Sequence, residues 1–297
     1  MKDRHAYLII AHNEPKVLET LLKLLDIEWN DVYLHIDKRN PALNEQMSHY
    51  KMNKARFFLL PEPIAVYWGH TSQIRVELNL MRAAQANGPY LYYHLLSGCD
   101  LPIKSSQAIY DFFHRNQGRE FIGFWNSDRD IKDARKKMRF YYVFNRYKKG
   151  ASFWQHALTM PLRNLFLILQ KLFAVNRLRG KNIEIKKGFN WFSITEECCQ
   201  YILDREPYIL KIFNHTLCGD ELFLHTLIWR SPFRKALYNT DDPQLGSMRT
   251  IDWQRGTPYV WRAEDVDYLL QSPCLFARKF SSSEMETVQN IYIRITQ

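Results

Sequence analysis

The sequence predicts an α/β domain built on a mainly parallel, Rossmann-like sheet flanked by helices, and three observations predict it. Four short β-rich apolar runs, AYLIIA (6–11), DVYLHID (31–37), ARFFLL (55–60) and YLYYHLLSG (90–98), recur through the first third of the chain. Helical patterns separate them, and such alternation is how parallel strands are joined. No repeat, low-complexity tract or Gly/Ser linker interrupts the 297 residues, which points to one continuous domain.

Each element follows in order. After the first run, Leu18, Leu21, Leu22 and Leu25 fall at helical spacing behind a cap at Asn13 and a first-turn Pro15. Ile74, Leu78 and Met81 repeat that spacing behind Thr71 or Ser72, and a helix capped near Ser105 or Ser106 follows the fourth run. Residues 126–187 are rich in Lys and Arg and contain LTMPLRNLFLILQKLFAV (158–175), an apolar helical stretch read as part of an insertion or lid. The last third opens with FNWFSIT (189–195) as a strand, a helix from Glu196 to about Arg205, and another from Asp220 through Trp229. Beyond Trp229 the patterning weakens, and turns and loops are expected.

Composition narrows the function. The chain is 46% hydrophobic and 24% charged, the profile of a folded protein. Its formal charge of +10 favours phosphorylated ligands or polyanionic surfaces. Five cysteines without a C-x-x-C pair indicate neither a disulfide framework nor a zinc ribbon, so a reducing compartment is expected. The first apolar run is too short for a signal segment or a membrane span, and the chain reads as cytoplasmic. G-x-G-x-x-G, G-x-x-x-x-G-K-[ST], G-x-S-x-G and H-E-x-x-H are all missing, which takes most of the weight from dinucleotide oxidoreductases, P-loop enzymes and zincins.

Ligands of open parallel sheets sit beyond the carboxyl ends of the strands. The residues there are polar: His12 after the first run, Asp37 after the second, and Ser97 to Asp100 after the fourth. Asp37 suits hydrogen bonds from a ribose or base, and equally a turn before KRNPAL. Tyr67 and Trp68 in VYWGHTSQ present faces that suit stacking on a base or sugar, or packing at a turn. His12, His35, His70, His94 and Asp100 show no local metal-ligand spacing, and a single acid in SGCD leaves a divalent oxygen site short of hard ligands.

In order, YLIIAH, YLHIDKR, VYWGHTSQ, YYHLLSGCDLPIK, GFNWFSIT, GDELFLHTLI and LFARKF resemble the core-2/I-branching glycosyltransferase family over about positions 6–280. That family includes β-1,6-N-acetylglucosaminyltransferases and peptide O-xylosyltransferases. The resemblance implies a GT-A-type nucleotide-sugar transferase fold, inversion at the anomeric carbon, a UDP-sugar donor and no metal cofactor. It also implies Glu221 as the base, with Asp220 its neighbour at the opening of a helix whose N-terminus would keep a carboxylate ionised. Lys279 and Arg255 are implied as cations on the diphosphate, and Ala11, His12, Asp37 and Tyr67 as the surround of uridine. Asp100 would lie at the donor site, and Trp68, Trp191 and Asp220 near the acceptor or sugar, Trp191 reading equally as core. The chain then divides into a nucleotide-binding half (1–125), the basic insertion (126–187), and an acceptor and diphosphate-binding half (188–297).

The expected partners are therefore a UDP-sugar, with N-acetylglucosamine or xylose favoured, and a glycan or lipid-linked acceptor, without nucleic acid. Two other readings compete. ARKKMRFYYVFNRYKKG interleaves basic and aromatic residues as single-strand nucleic-acid grooves do. PLRNLFLILQKLFAV, flanked by Lys and Arg, suits a peripheral position on a membrane's inner face.

Overall fold

The computed structural model describes residues 3–149 and 152–297. Its first half runs β1 (His5–Ala11), α1 (Pro15–Leu25), β2 (Asn30–Ile36), α2 (Pro41–Ser48), β3 (Arg56–Leu59), α3 (Ser72–Gln85), β4 (Tyr92–Ser97), β5 (Asp100–Pro102), α4 (Ser106–Arg115), β6 (Phe121–Trp125) and α5 (Asp128–Arg139). The second half runs α6 (Phe153–Leu172), β7 (Lys187–Ile194), α7 (Glu196–Leu203), α8 (Glu206–Phe213), α9 (Phe223–Trp229), α10 (Pro243–Ser247), β8 (Arg249–Ile251), α11 (Val266–Gln271), β9 (Phe276–Arg278) and α12 (Met285–Thr296).

The main sheet has the order β3-β2-β1-β4-β7-β6. β3, β2, β1 and β4 are parallel, as the first third of the sequence predicts. β7 runs antiparallel to β4 and to β6, so the α/β sheet is mixed rather than wholly parallel. The central strands are buried on both faces, which is why they read as continuous apolar runs. Alternation divides β1 between two cores. Ala6 and Leu8 join the core that includes Ile74 and Leu78 of α3, and Tyr7, Ile9 and Ala11 join the one that includes Leu18, Leu21 and Leu22 of α1.

A second, three-stranded sheet, β5-β9-β8, stands beside the first. β5 and β9 pair antiparallel, with Asp100 opposite Arg278. Arg249 of β8 ties the two sheets together: fully enclosed, it donates to the carbonyls of Phe192 at 2.6 Å and Leu95 at 3.3 Å.

Several elements differ from the expectation. Asp220 and Glu221 lie in a 3-10 turn, Gly219–Glu221, ahead of the short α9, rather than within one helix running from Asp220. The side-chain cap of α1 is not made, because residue 14 sits in the left-handed region at φ 60°. Past Trp229, where loops are expected, the chain forms β8, β9, α11 and α12.

Candidate active site

The carboxyl ends of β1, β2 and β4 meet at one edge of the sheet. The backbone N–H of Asp37 donates to the Ala11 carbonyl at 2.8 Å, and that of Gly98 to the Ile10 carbonyl at 3.0 Å. A Cβ on Gly98 would lie 2.7 Å from the Ala11 Cβ, so only glycine lets these two strand ends close together. His12 stands at the surface of this edge. Partial loss of hydration lowers its pKa first; Asp37 opposes that, and Arg278, Lys279 and Arg39 add to it. These four charged side chains therefore converge where β1 ends.

Asp37 is buried, and Arg39 holds it in a fork, Nε to Oδ1 at 3.1 Å and a terminal nitrogen to Oδ2 at 2.7 Å. Loss of hydration works against its charge, but Arg39 outweighs it and keeps the carboxyl below its ordinary pKa. The Arg39 guanidinium also covers the Tyr67 ring at 4.8 Å. Trp68, by contrast, is 40% exposed and lies under the ammonium groups of Lys148 and Lys149, at 4.8 and 4.5 Å from its ring centre. It faces the basic insertion.

At the end of β4, Asp100 accepts from the backbone and hydroxyl of Ser97, both at 2.7 Å, and from Arg278 at 2.7 Å. Arg278 is the cross-strand partner of Asp100, so pairing of SGCDLP with LFARKF delivers a guanidinium to a carboxylate 178 positions away. Its other side lies over the Trp191 ring at 4.7 Å. Lys279 follows directly, half-buried and without an ion pair among the described residues. Arg255 is differently placed. It is bound to Asp252 at 2.5 Å and Asp265 at 2.8 Å, and stacks on Tyr259 at 4.0 Å. Tyr259 in turn accepts the backbone N–H of Lys279 at 3.4 Å, so Arg255 flanks the site with its charge already matched.

β7 carries Lys187, Phe189 and Trp191 through an irregular stretch where its register against β6 shifts between Ile122 and Phe124, and Trp191 also packs against the core that includes Ile74. Phe189 packs edge-on to Trp125 and against the exposed Trp253. Lys187 reaches Asp133 at 3.0 Å and Glu221 at 3.8 Å. Glu221 is closer still to Lys137 of α5, at 3.3 Å. The carboxylates of Glu221 and Asp133 keep Lys137 protonated against its burial. Fixed cations, rather than a helix N-terminus, thus face Glu221.

Asp220 points inward. Burial first and the Glu221 charge second push its pKa up to about 7, and its Oδ1 has no hydrogen-bond partner. Glu77 of α3 is fully enclosed and sits within the field of Asp220, its pKa also raised, chiefly by burial. The turn that carries this pair is braced by the YWGHTS turn: Cys218 N–H donates to the Gly69 carbonyl at 3.0 Å, and Thr71 to the Asn214 carbonyl.

The arrangement thus has two charged ends, with Trp191 at the first and the Trp125–Phe189–Trp253 group beside Lys187 at the second. Ala11, His12, Asp37, Tyr67, Asp100 and Lys279 gather at one end, Trp191 beside them, and Glu221 stands at the other. Asp220, Trp68 and Arg255 are placed elsewhere, as described. Arg278, Arg39, Lys137, Lys187 and Trp253 join the site without having been singled out, although HIDKR and LFARKF contain two of them. Among the described residues no three His, Cys, Asp or Glu side chains assemble as a metal site. His35 accepts the Ile64 N–H at 2.9 Å, and His94 bonds His5 and Ser193 at 2.9 and 2.8 Å, in separate surroundings.

The family model described as Core-2/I-Branching enzyme matches residues 5–269. Xylosyltransferase 2 of Rattus norvegicus is 23% identical over 307 residues, covering 97% of this chain and 33% of that protein. Xylosyltransferase 1 of Canis lupus familiaris is 21% identical over 298 residues, covering 94% and 29%. The chain therefore spans about a third of the length of the curated relatives it matches. The crystal structure of mouse Xyloside xylosyltransferase 1, apo form, overlaps with a TM-score of 0.39 at 14% identity, covering 92% of this chain and 97% of that one.

Proposed function

The chain belongs to the Core-2/I-branching enzyme family, and on that premise we propose that it is an inverting glycosyltransferase that uses a UDP-sugar, N-acetylglucosamine or xylose being the sugar, without a metal ion. The observation that carries this reading is the cross-strand Arg278–Asp100 pair with Lys279 beside it. In it a guanidinium occupies the carboxylate at the strand end, and two adjacent cations stand where a diphosphate would sit.

Chemically, the uracil and ribose lie against Ala11, Asp37 and the Arg39–Tyr67 stack, and the diphosphate against Arg278 and Lys279. The sugar rests against Trp191, beside Arg278. Glu221 takes the proton of the acceptor hydroxyl as that oxygen bonds to C1. The bond from C1 to the β-phosphate oxygen breaks on the opposite face, and UDP leaves with the electron pair. Arg278 and Lys279 stabilise the charge gained by the leaving group, as fixed donors do in a site shielded from water. The acceptor is a hydroxyl of a glycan or a lipid-linked glycan.

Thermal shift and hydrolysis with a panel of UDP-sugars, with and without EDTA, test donor, nucleotide and metal together. A stabilising UDP-sugar whose turnover survives EDTA is expected, and Glu221→Gln should abolish transfer while keeping UDP binding. Turnover lost to EDTA and restored by Mn²⁺ would overturn the metal-free chemistry. Full activity in Glu221→Gln would remove Glu221 as the base.

A further inference from the structure

Helix α6 turns Thr159 and Gln170 inward, with Arg163, Phe166 and Leu167 half-buried beside them. Its buried side chains are Thr159 and Gln170, and Gln170 both accepts from the Tyr141 N–H at 2.7 Å and donates to the Tyr141 carbonyl at 2.9 Å. With 3.6 residues per turn, Trp154, Leu158, Leu165, Ile168 and Leu172 fall on the opposite side. There they are exposed by 80, 67, 52, 53 and 73%. An apolar stripe of this length turned outward marks an interaction surface.

Charge says what covers it. Residues 134–183 carry twelve Lys and Arg and no Asp or Glu, so this segment alone exceeds the +10 of the whole chain. Beside the carboxyl end of α6 lies a cavity of about 540 Å³ lined by Lys132, Arg135, Lys136 and Arg139, with Phe140 and Leu178 as apolar wall. The Arg177 N–H, bonded to the Arg139 carbonyl at 3.0 Å, and the Gln170–Tyr141 contacts hold cavity and helix together. A second copy of the chain docked on the stripe would set this positive segment against itself. A bilayer rich in anionic lipid satisfies the apolar stripe and the cations at once. No described helix is long and apolar enough to cross a membrane, so α6 would lie in the surface plane.

We infer that α6 is an interfacial helix seated in an anionic phospholipid surface, with the basic cavity taking a phosphate-bearing headgroup. The inference stands independently of the transferase reading, because its readout is membrane binding. The full chain is mixed with phosphatidylcholine vesicles, with and without phosphatidylglycerol, and sedimented. Binding is expected only where phosphatidylglycerol is present, and brominated acyl chains should quench a fluorescence component that Trp154→Phe removes. Leu158→Glu with Leu165→Glu, and separately Arg135→Glu with Arg139→Glu, should each weaken binding by about tenfold or more. The first pair alters exposed positions, so its melting temperature should match the parent's. Equal binding to both vesicle types, no binding, or binding untouched by either pair would overturn the inference. So would self-association in solution that Leu158→Glu with Leu165→Glu abolishes while vesicles remain unbound.

Discussion

Asp220 shows how far one residue's chemistry departs from its place in a motif. Next to Glu221 it reads as a second site acid, yet the 3-10 turn sends it inward, where burial and the neighbouring charge raise its pKa to about 7. An unfolded Asp titrates near 3.9, so the folded state holds the proton more tightly. Between about pH 4 and 7 the folded state therefore loses stability as pH rises, and above 7 it carries the full cost of a buried anion. Asp220→Asn removes that dependence. Its melting temperature, taken relative to the parent's, should be higher at pH 8 than at pH 5; an equal difference at both would mean that Asp220 is ionised throughout. The same contrast separates what was legible among the site residues. Asp37 and Asp100 close apolar runs and stand out on a single reading. Arg278 does not, because its role comes from strand register with a residue 178 positions earlier.

Elements were legible where one periodicity dominated. α1 and α3 bury the residues their spacing selects, and the central strands read as buried runs. α6 was legible as a helix but not in its orientation, since apolar residues on most of its circumference do not say which side meets the protein. Gln170 decides that, and it can be tested. Gln170→Ala leaves the Tyr141 N–H and carbonyl without their partners, a cost of about 1–3 kcal/mol. The loss should be local, because the contact joins α6 to the segment after α5 and to neither core. Limited proteolysis should then cut within 140–175 faster than in the parent while the rest of the chain resists. Unchanged cleavage would mean that other contacts hold the helix.

Across the whole molecule, the last helix lies against the first. β9 brings Arg278 to Asp100, the Phe280 N–H donates to the Cys99 carbonyl at 2.9 Å, and α12 then packs in the same core as Leu18, Leu21 and Leu22 of α1. Of this return only LFARKF was legible, through the resemblance that put Lys279 and Asp100 at one donor site. The patterning past Trp229 is weak and loops are expected there, yet tertiary packing makes IYIRIT the end of α12. The two readings differ measurably. A loop would give Ile291 and Ile293 no reason to differ, whereas the helix encloses Ile291 completely and leaves Ile293 48% exposed. Ile291→Ala should therefore cost about 2–5 kcal/mol, the usual range for emptying a buried isoleucine site. Ile293→Ala should stay within about 0.5 kcal/mol of the parent, as surface substitutions do. Because domains are stable by only about 5–15 kcal/mol, the first change should move the urea midpoint clearly. Should both variants shift it equally, the helical packing that closes the second core would be wrong, and with it the anchoring that sets β9 against β5.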